Sequence, residues 1–152
     1  MTTCGLNVYQ FLQQAPDLSL FKGLVDKAGL QAEFTAYECK TVFAPTNKGL
    51  ALTSPYVLYY LSDPANVAVL RYFLRYHVYG KTLTTSQLIS GTGLTMCNNV
   101  NLGLLNALYY SYLPVLLDVI QGRANVVEGN LPAGDNYIHK IDALLQPEYV
   151  AG

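Results

Sequence analysis

Charge is scarce in this chain. Asp, Glu, Lys and Arg make up 12% of its 152 residues, about half the share usual in soluble domains. Nine basic and ten acidic residues leave a net charge of −1, and no Lys/Arg cluster forms: Arg71 and Arg75 are the closest pair, with no basic neighbours. Nucleic-acid binding needs several phosphate contacts from a basic face, so that class is excluded. Long apolar runs are missing too. The nearest candidate, 113–120, starts Leu-Pro and carries Asp118, far short of the ~18 residues of a membrane span, so no transmembrane segment is expected here. The opening Met-Thr-Thr-Cys lacks the basic and apolar regions of a signal peptide. An extracellular placement therefore expects the leader and any anchor to lie outside this chain. No Asn-x-Ser/Thr glycosylation sequon occurs.

Reactive residues are equally sparse. Three cysteines, Cys4, Cys39 and Cys97, form no C-x-x-C and lie far from either histidine in sequence, so no zinc site is indicated. An odd count permits one disulfide and one free thiol. Cys4 with Cys39 is the expected bridge where the compartment is oxidising; the alternative is three buried thiols acting as small core hydrophobes. His77 and His139 are the only bases suited to neutral pH, and no serine sits in a Gly-x-Ser-x-Gly elbow. Asp142 follows His139 by three residues in an expected strand, where odd spacing points side chains to opposite faces. A base and its orienting acid are thus not prearranged. Gly91-Thr92-Gly93 leads into a strand and opens no helix, so it is no phosphate loop. No catalytic residue, metal site or cofactor is assigned.

What is present is apolar. Hydrophobic residues reach 51%, which excludes a disordered chain and suits one domain spanning 1–152 with a real core. The first 30 residues read as helices: 7–14, a break at Pro16, then a second helix capped by Asp17 or Ser19. Its Leu20, Phe21, Leu24, Val25 and Ala28 recur at helical spacing, with Gly29 as the C′ residue. Thr41-Val42-Phe43-Ala44 is a strand closed by Pro45, and Thr46 or Asn47 caps a short helix through Leu52. Asp63-Pro64 opens the clearest helix, whose stripe of Val67, Leu70, Phe73 and Leu74 continues into His77 and Val78 before Gly80. A short helix at 85–89 is also indicated. From Gly91 the reading turns to strands at 94–96, 100–105, 109–113, 115–120, 124–128 and 138–144. Turns at Asn98-Asn99, Gln121-Gly122, Gly129-Asn130 and Gly134-Asp135-Asn136 separate them. Helices first and strands later predict an α+β domain.

Three segments together resemble the fasciclin domain family. Thr41-Val42-Phe43-Ala44-Pro45-Thr46-Asn47 matches that family's signature at every position; Tyr76-His77-Val78 looks like its Tyr-His segment. Ile138-His139-Lys140-Ile141-Asp142, followed by Leu145 and Pro147, is similar to its closing pattern. The resemblance covers essentially the whole chain. It implies a helical layer packed on a wedge of two β-sheets, with Thr41, Phe43, Pro45, Thr46, Asn47, His139 and Asp142 as structural residues. It also implies a non-enzymatic role in cell adhesion or extracellular matrix binding, with the Tyr-His segment as a contact surface. Some algal members bind carotenoids. Three departures stand out: Gly49 and Leu50 replace the usual Ala and Phe, Asp135-Asn136 replaces Asn-Gly, and 101–112 is longer than typical. Gly49 is expected to weaken its helix, Leu50 to remove an aromatic anchor, and Asn136 to hold a positive-φ turn.

Tyrosine dominates the aromatic content, at thirteen residues against five Phe and no Trp. Tyr unites large contact area with a hydroxyl, and interfaces favour it. Tyr72, Tyr76 and Tyr79 recur at helical spacing, so Tyr72, Tyr76, His77, Val78 and Tyr79 form the first candidate surface for a cell-surface or matrix protein, or a second copy of the chain. Tyr56, Tyr59 and Tyr60 cluster at another helical turn and suit the alternative, a carrier of a hydrophobic small molecule such as a carotenoid. A structural spacer domain is the third reading.

Overall fold

A computed structural model describes residues 7–35, 40–52, 55–84, 93–96, 101–105, 115–117, 123–133 and 136–145. Helices lead: α1 (Val8–Gln14), α2 (Ser19–Ala28), α3 (Gln31–Thr35), α4 (Asn47–Ala51), α5 (Pro55–Ser62) and α6 (Val67–Arg75). The strands are β1 (Thr41–Pro45), β2 (Val78–Tyr79), β3 (Gly93–Thr95), β4 (Asn101–Leu105), β5 (Val115–Leu117), β6 (Arg123–Ala133) and β7 (Asn136–Ile141). They hydrogen-bond in the order β2-β1-β7-β6-β5-β4-β3. The α+β expectation holds. β1 and β7 run parallel, with Thr41 opposite Tyr137 and Pro45 opposite Ile141, and the remaining pairs are antiparallel.

Local chemistry explains most boundaries. Asn7 and Gln10 form a capping box at α1. Gly29 takes φ 69°, and the Leu30 amide reaches back to the Val25 carbonyl at 3.2 Å, closing α2 as a Schellman turn. Thr46 Oγ1 accepts from the Gly49 amide at 3.1 Å and starts α4. Asp63 Oδ1 accepts from the Ala65 amide at 2.9 Å, opening a 3₁₀ turn, Pro64–Asn66, that feeds α6.

β1 is buried along its whole length, as a parallel strand covered on both faces should be. Its alternation divides the interior. Val42 and Ala44 face the helices and join Phe21, Val25, Leu70 and Leu74. Phe43 turns the other way, to Tyr76, Met96, Val126, Ile141 and Leu145.

Several readings need correction. α6 ends at Arg75, and Tyr76-His77 form a turn into β2, so the apolar stripe running on to Val78 changes period from helix to strand. Leu20 lies at the edge of the α2 stripe and is exposed. Neither Asp17 nor Ser19 caps α2; that role falls to Asn47, 27 residues later in sequence than Leu20. Gly129-Asn130 is no turn between strands. β6 runs through it, with Asn130 at φ 60° and register shifts between Val126 and Leu131, and the left-handed residue supplies a bulge. Asn136 sits in β7 with no positive φ. It acts through its side chain instead: Oδ1 accepts from the Lys40 amide and Nδ2 donates to the Ala133 carbonyl. Cys4, Cys39 and Cys97, the helix expected at 85–89 and the strand expected at 109–113 lie outside the described residues.

Candidate interaction surface

The three motif segments converge. β1 pairs with β7 so that Phe43 lies opposite His139, and with β2 so that Val42 lies opposite Val78. The Phe43 amide donates to the His77 carbonyl at 2.8 Å, and the Thr46 amide to the Ile141 carbonyl at 3.0 Å. Polar side chains then bind these crossings together. Thr41 Oγ1 donates to the Lys81 carbonyl and accepts from the Leu83 amide, both at 2.7 Å. Asn47 Oδ1 accepts from the Leu20 amide at 2.9 Å, while its Nδ2 donates to the Pro16 carbonyl and Ser19 Oγ. Asp142 clamps β6 through Asn125, whose amide and Nδ2 donate to the two carboxylate oxygens at 2.7 and 2.9 Å.

Both histidines are buried and bridge backbone groups. The Leu145 amide donates to His77 Nε2 at 2.9 Å, which leaves Nδ1 to carry the proton and donate to the Phe73 carbonyl at 2.8 Å. His139 is the opposite tautomer: Nδ1 accepts from the Asn130 amide at 3.0 Å, and Nε2 donates to the Leu83 carbonyl at 2.7 Å. Burial pushes the His77 pKa down to about 4, only partly opposed by the Phe73 carbonyl, and burial likewise lowers that of His139. Each ring uses both nitrogens structurally, and Asp142 is engaged with Asn125. Among the described residues no group of His, Cys, Asp and Glu is arranged to hold a metal ion.

Gly49 has a purpose that the sequence comparison hid. A Cβ there would stand 2.6 Å from the Asp142 carbonyl carbon and 2.7 Å from its oxygen. The glycine therefore lets the chain after β7 press against α4. Leu50 is buried in the helix-side core and serves as an anchor without an aromatic ring.

The first tyrosine group does not form a surface as expected. Tyr76, His77 and Val78 are buried, because the turn after α6 leads the chain into β2, which pairs with β1. Tyr72 packs against the helix-side core, and Tyr79 against the opposite one that holds Tyr76, so Tyr72 is parted from the other two. Exposure lies elsewhere. On α5, Tyr56 is 87% and Tyr59 82% exposed, with Tyr60 at 39%. Leu52 at 78% and Leu20 at 51% are further large apolar residues left open to solvent. Neither leucine stood out in the sequence; the edge position of Leu20 on its helical stripe was the available signal. An apolar groove of about 230 Å³ lies beside α5, lined by Leu20, Leu24, Leu50 and Leu58.

A helical layer on a mixed sheet, with buried histidines bridging its backbone, defines an α+β domain. The Fasciclin domain model matches residues 16–147, and the chain belongs to that family. A solved FAS1 domain pair from the insect cell adhesion molecule fasciclin I matches with TM-score 0.80 and 17% identity, over 93% of this chain and 51% of that one. The chain thus spans about half the length of that structure. No curated protein matches. Fasciclin domains are in general adhesion and interaction modules, typically non-enzymatic, found in secreted or cell-surface proteins. No helix among the described residues is long and apolar enough to cross a membrane.

Proposed function

We propose that this chain is a protein-binding adhesion module, placed outside the cell or at its surface, whose contact face is the outer side of α5. One observation carries the reading: Tyr56 and Tyr59, three residues apart, point into solvent almost completely. Tyrosine is otherwise enriched where a partner excludes water, and an open apolar patch on a small domain marks a contact. The partner is a cell-surface or matrix protein, a second copy of the chain included. The test is cell adhesion to surfaces coated with wild type or with Tyr56→Ala/Tyr59→Ala, circular dichroism confirming the fold. A loss of at least about tenfold is expected, as for interface anchors; unchanged adhesion eliminates α5. Tyr76→Ala is the contrasting control. It removes a buried ring and is expected to cost about 3–5 kcal/mol of stability.

The carrier reading draws support from the groove beside α5. Its volume of about 230 Å³ is below the ~300–1,000 Å³ of typical ligand sites, which favours adhesion over transport of a long polyene such as a carotenoid. A visible absorption band retained by native protein would reverse that order. The spacer reading predicts no saturable partner at all.

A further inference from the structure

The groove between α2 and α5 has a property that protein contact leaves unused. Leu24 and Leu50 are buried at its base, Leu58 is half-buried in its wall and Leu20 is exposed at its rim. Gly23 opens it. Glycine is the poorest helix former after proline, yet a Cβ at this mid-helix position would meet nothing within 4 Å. No packing requirement explains the glycine, and its missing side chain leaves the trough clear.

One turn further along α2, Lys27 lines both this groove and a second of about 220 Å³ that runs past Leu61 and Val67. Lys22 and Lys140 are ion-paired. Among the described residues the Lys27 ammonium has no ion-pair or hydrogen-bond partner. Asp63 borders the second groove, but its carboxylate accepts from the Ala65 amide and makes no ion pair with Lys27. An apolar trough with one unengaged cation at its end is complementary to a single ligand chemistry, an alkyl chain bearing one negative head.

We infer that this groove binds a medium-chain fatty acid anion, its alkyl chain along Leu20, Leu24, Leu50 and Leu58 and its carboxylate on the Lys27 ammonium. The volume sets the length. A neutral polyene has no use for Lys27, and a long chain would outrun the trough. The site is independent of Tyr56 and Tyr59, so the adhesion reading and this one fail separately.

Titration of the intact chain with hexanoate, octanoate and decanoate, below their micelle concentrations, tests the assignment through backbone amide chemical shifts. Saturable shifts are expected at residues 20–27 and 58–62, with affinity rising roughly fourfold per methylene until the trough is full. Lys27→Met keeps the aliphatic stem and should weaken decanoate by at least about tenfold, while leaving decanol unchanged. Gly23→Leu fills the trough and should abolish binding of both with no loss of melting temperature. Should that variant melt early, Leu58→Glu, which places like charge in the wall, takes its place with the same loss expected. Absence of saturable shifts with all three acids overturns the proposal. So does wild-type affinity in the filled-groove variant, or decanol binding as tightly as decanoate.

Discussion

His77 and Leu145, 68 positions apart, are joined by a hydrogen bond of 2.9 Å from the Leu145 amide to the imidazole Nε2. The bond exists only while Nε2 keeps its lone pair. A second proton on the ring would set two donors facing each other in a site closed to solvent, and burial pushes the pKa down to about 4.

Acid should therefore loosen the fold. A histidine with a pKa lowered in the native state adds stability that is complete above its unfolded pKa, about 6.5. That stability is lost as pH falls from there toward the folded value of about 4. Protons then bind the unfolded chain first, and His77 alone should remove about 3 kcal/mol across the window. His139, shifted the same way, adds to the slope. The expected result is an unfolding free energy flat from pH 7 to pH 8.5 and falling steadily below 6.5. Urea titrations at half-unit steps measure it, and a flat profile down to pH 4.5 would contradict the neutral bridging assignment.

Asn47 ties α4 to α2 through side-chain hydrogen bonds with the Leu20 amide, which it caps, and Ser19 Oγ, and a third bond reaches the Pro16 carbonyl just before α2. Asn47→Ala should cost about 1–2 kcal/mol, the upper range for loss of an N-cap. Asn47→Asp keeps the acceptor for Leu20 but discards both donors, and should fall between. Denaturant midpoints at constant slope rank the three proteins. Equal midpoints for alanine and wild type would show that the cap contributes nothing.

Two glycines should respond oppositely to the same change. Alanine is the better helix former by about 1 kcal/mol, and Gly23 has room for a methyl group, so Gly23→Ala should stabilise. At Gly49 the methyl would meet backbone atoms of Asp142 and Ala143 closer than 3.0 Å. Overpacking against backbone there should outweigh propensity and destabilise by about 1–3 kcal/mol. Calorimetric melting temperatures moving in the same direction would refute the close approach.

The contrast at those glycines shows where sequence reading succeeds and where it stops. Short-range signals carried well. The Gly29 terminus, the Asp63-Pro64 start and the Thr46 cap all depend on residues within a few positions. The three segments that carry the family resemblance do meet, Phe43 opposite His139 and Val42 opposite Val78. Readings failed where distant backbone decides. Nothing near Leu20 announces Asn47 as its cap, and nothing near Gly49 announces Asp142. Periodicity could not tell that the stripe running into His77 and Val78 leaves its helix at Arg75, where the period changes from helix to strand. Tyrosine content was legible in the sequence, but which tyrosines the core would claim was not.

The parallel partnership of β1 with β7 also governs how the molecule is made. Thr41 finds Tyr137 across most of the chain's length, and such distant pairing forms late because a long loop must close first. Until β7 is made, β1 has only the two-residue β2 as a neighbour. Docking of β7, which gives β1 its parallel neighbour, is then the expected closing step of folding. Truncation before residue 136 should leave a chain that chaperones retain, whichever helices it still contains.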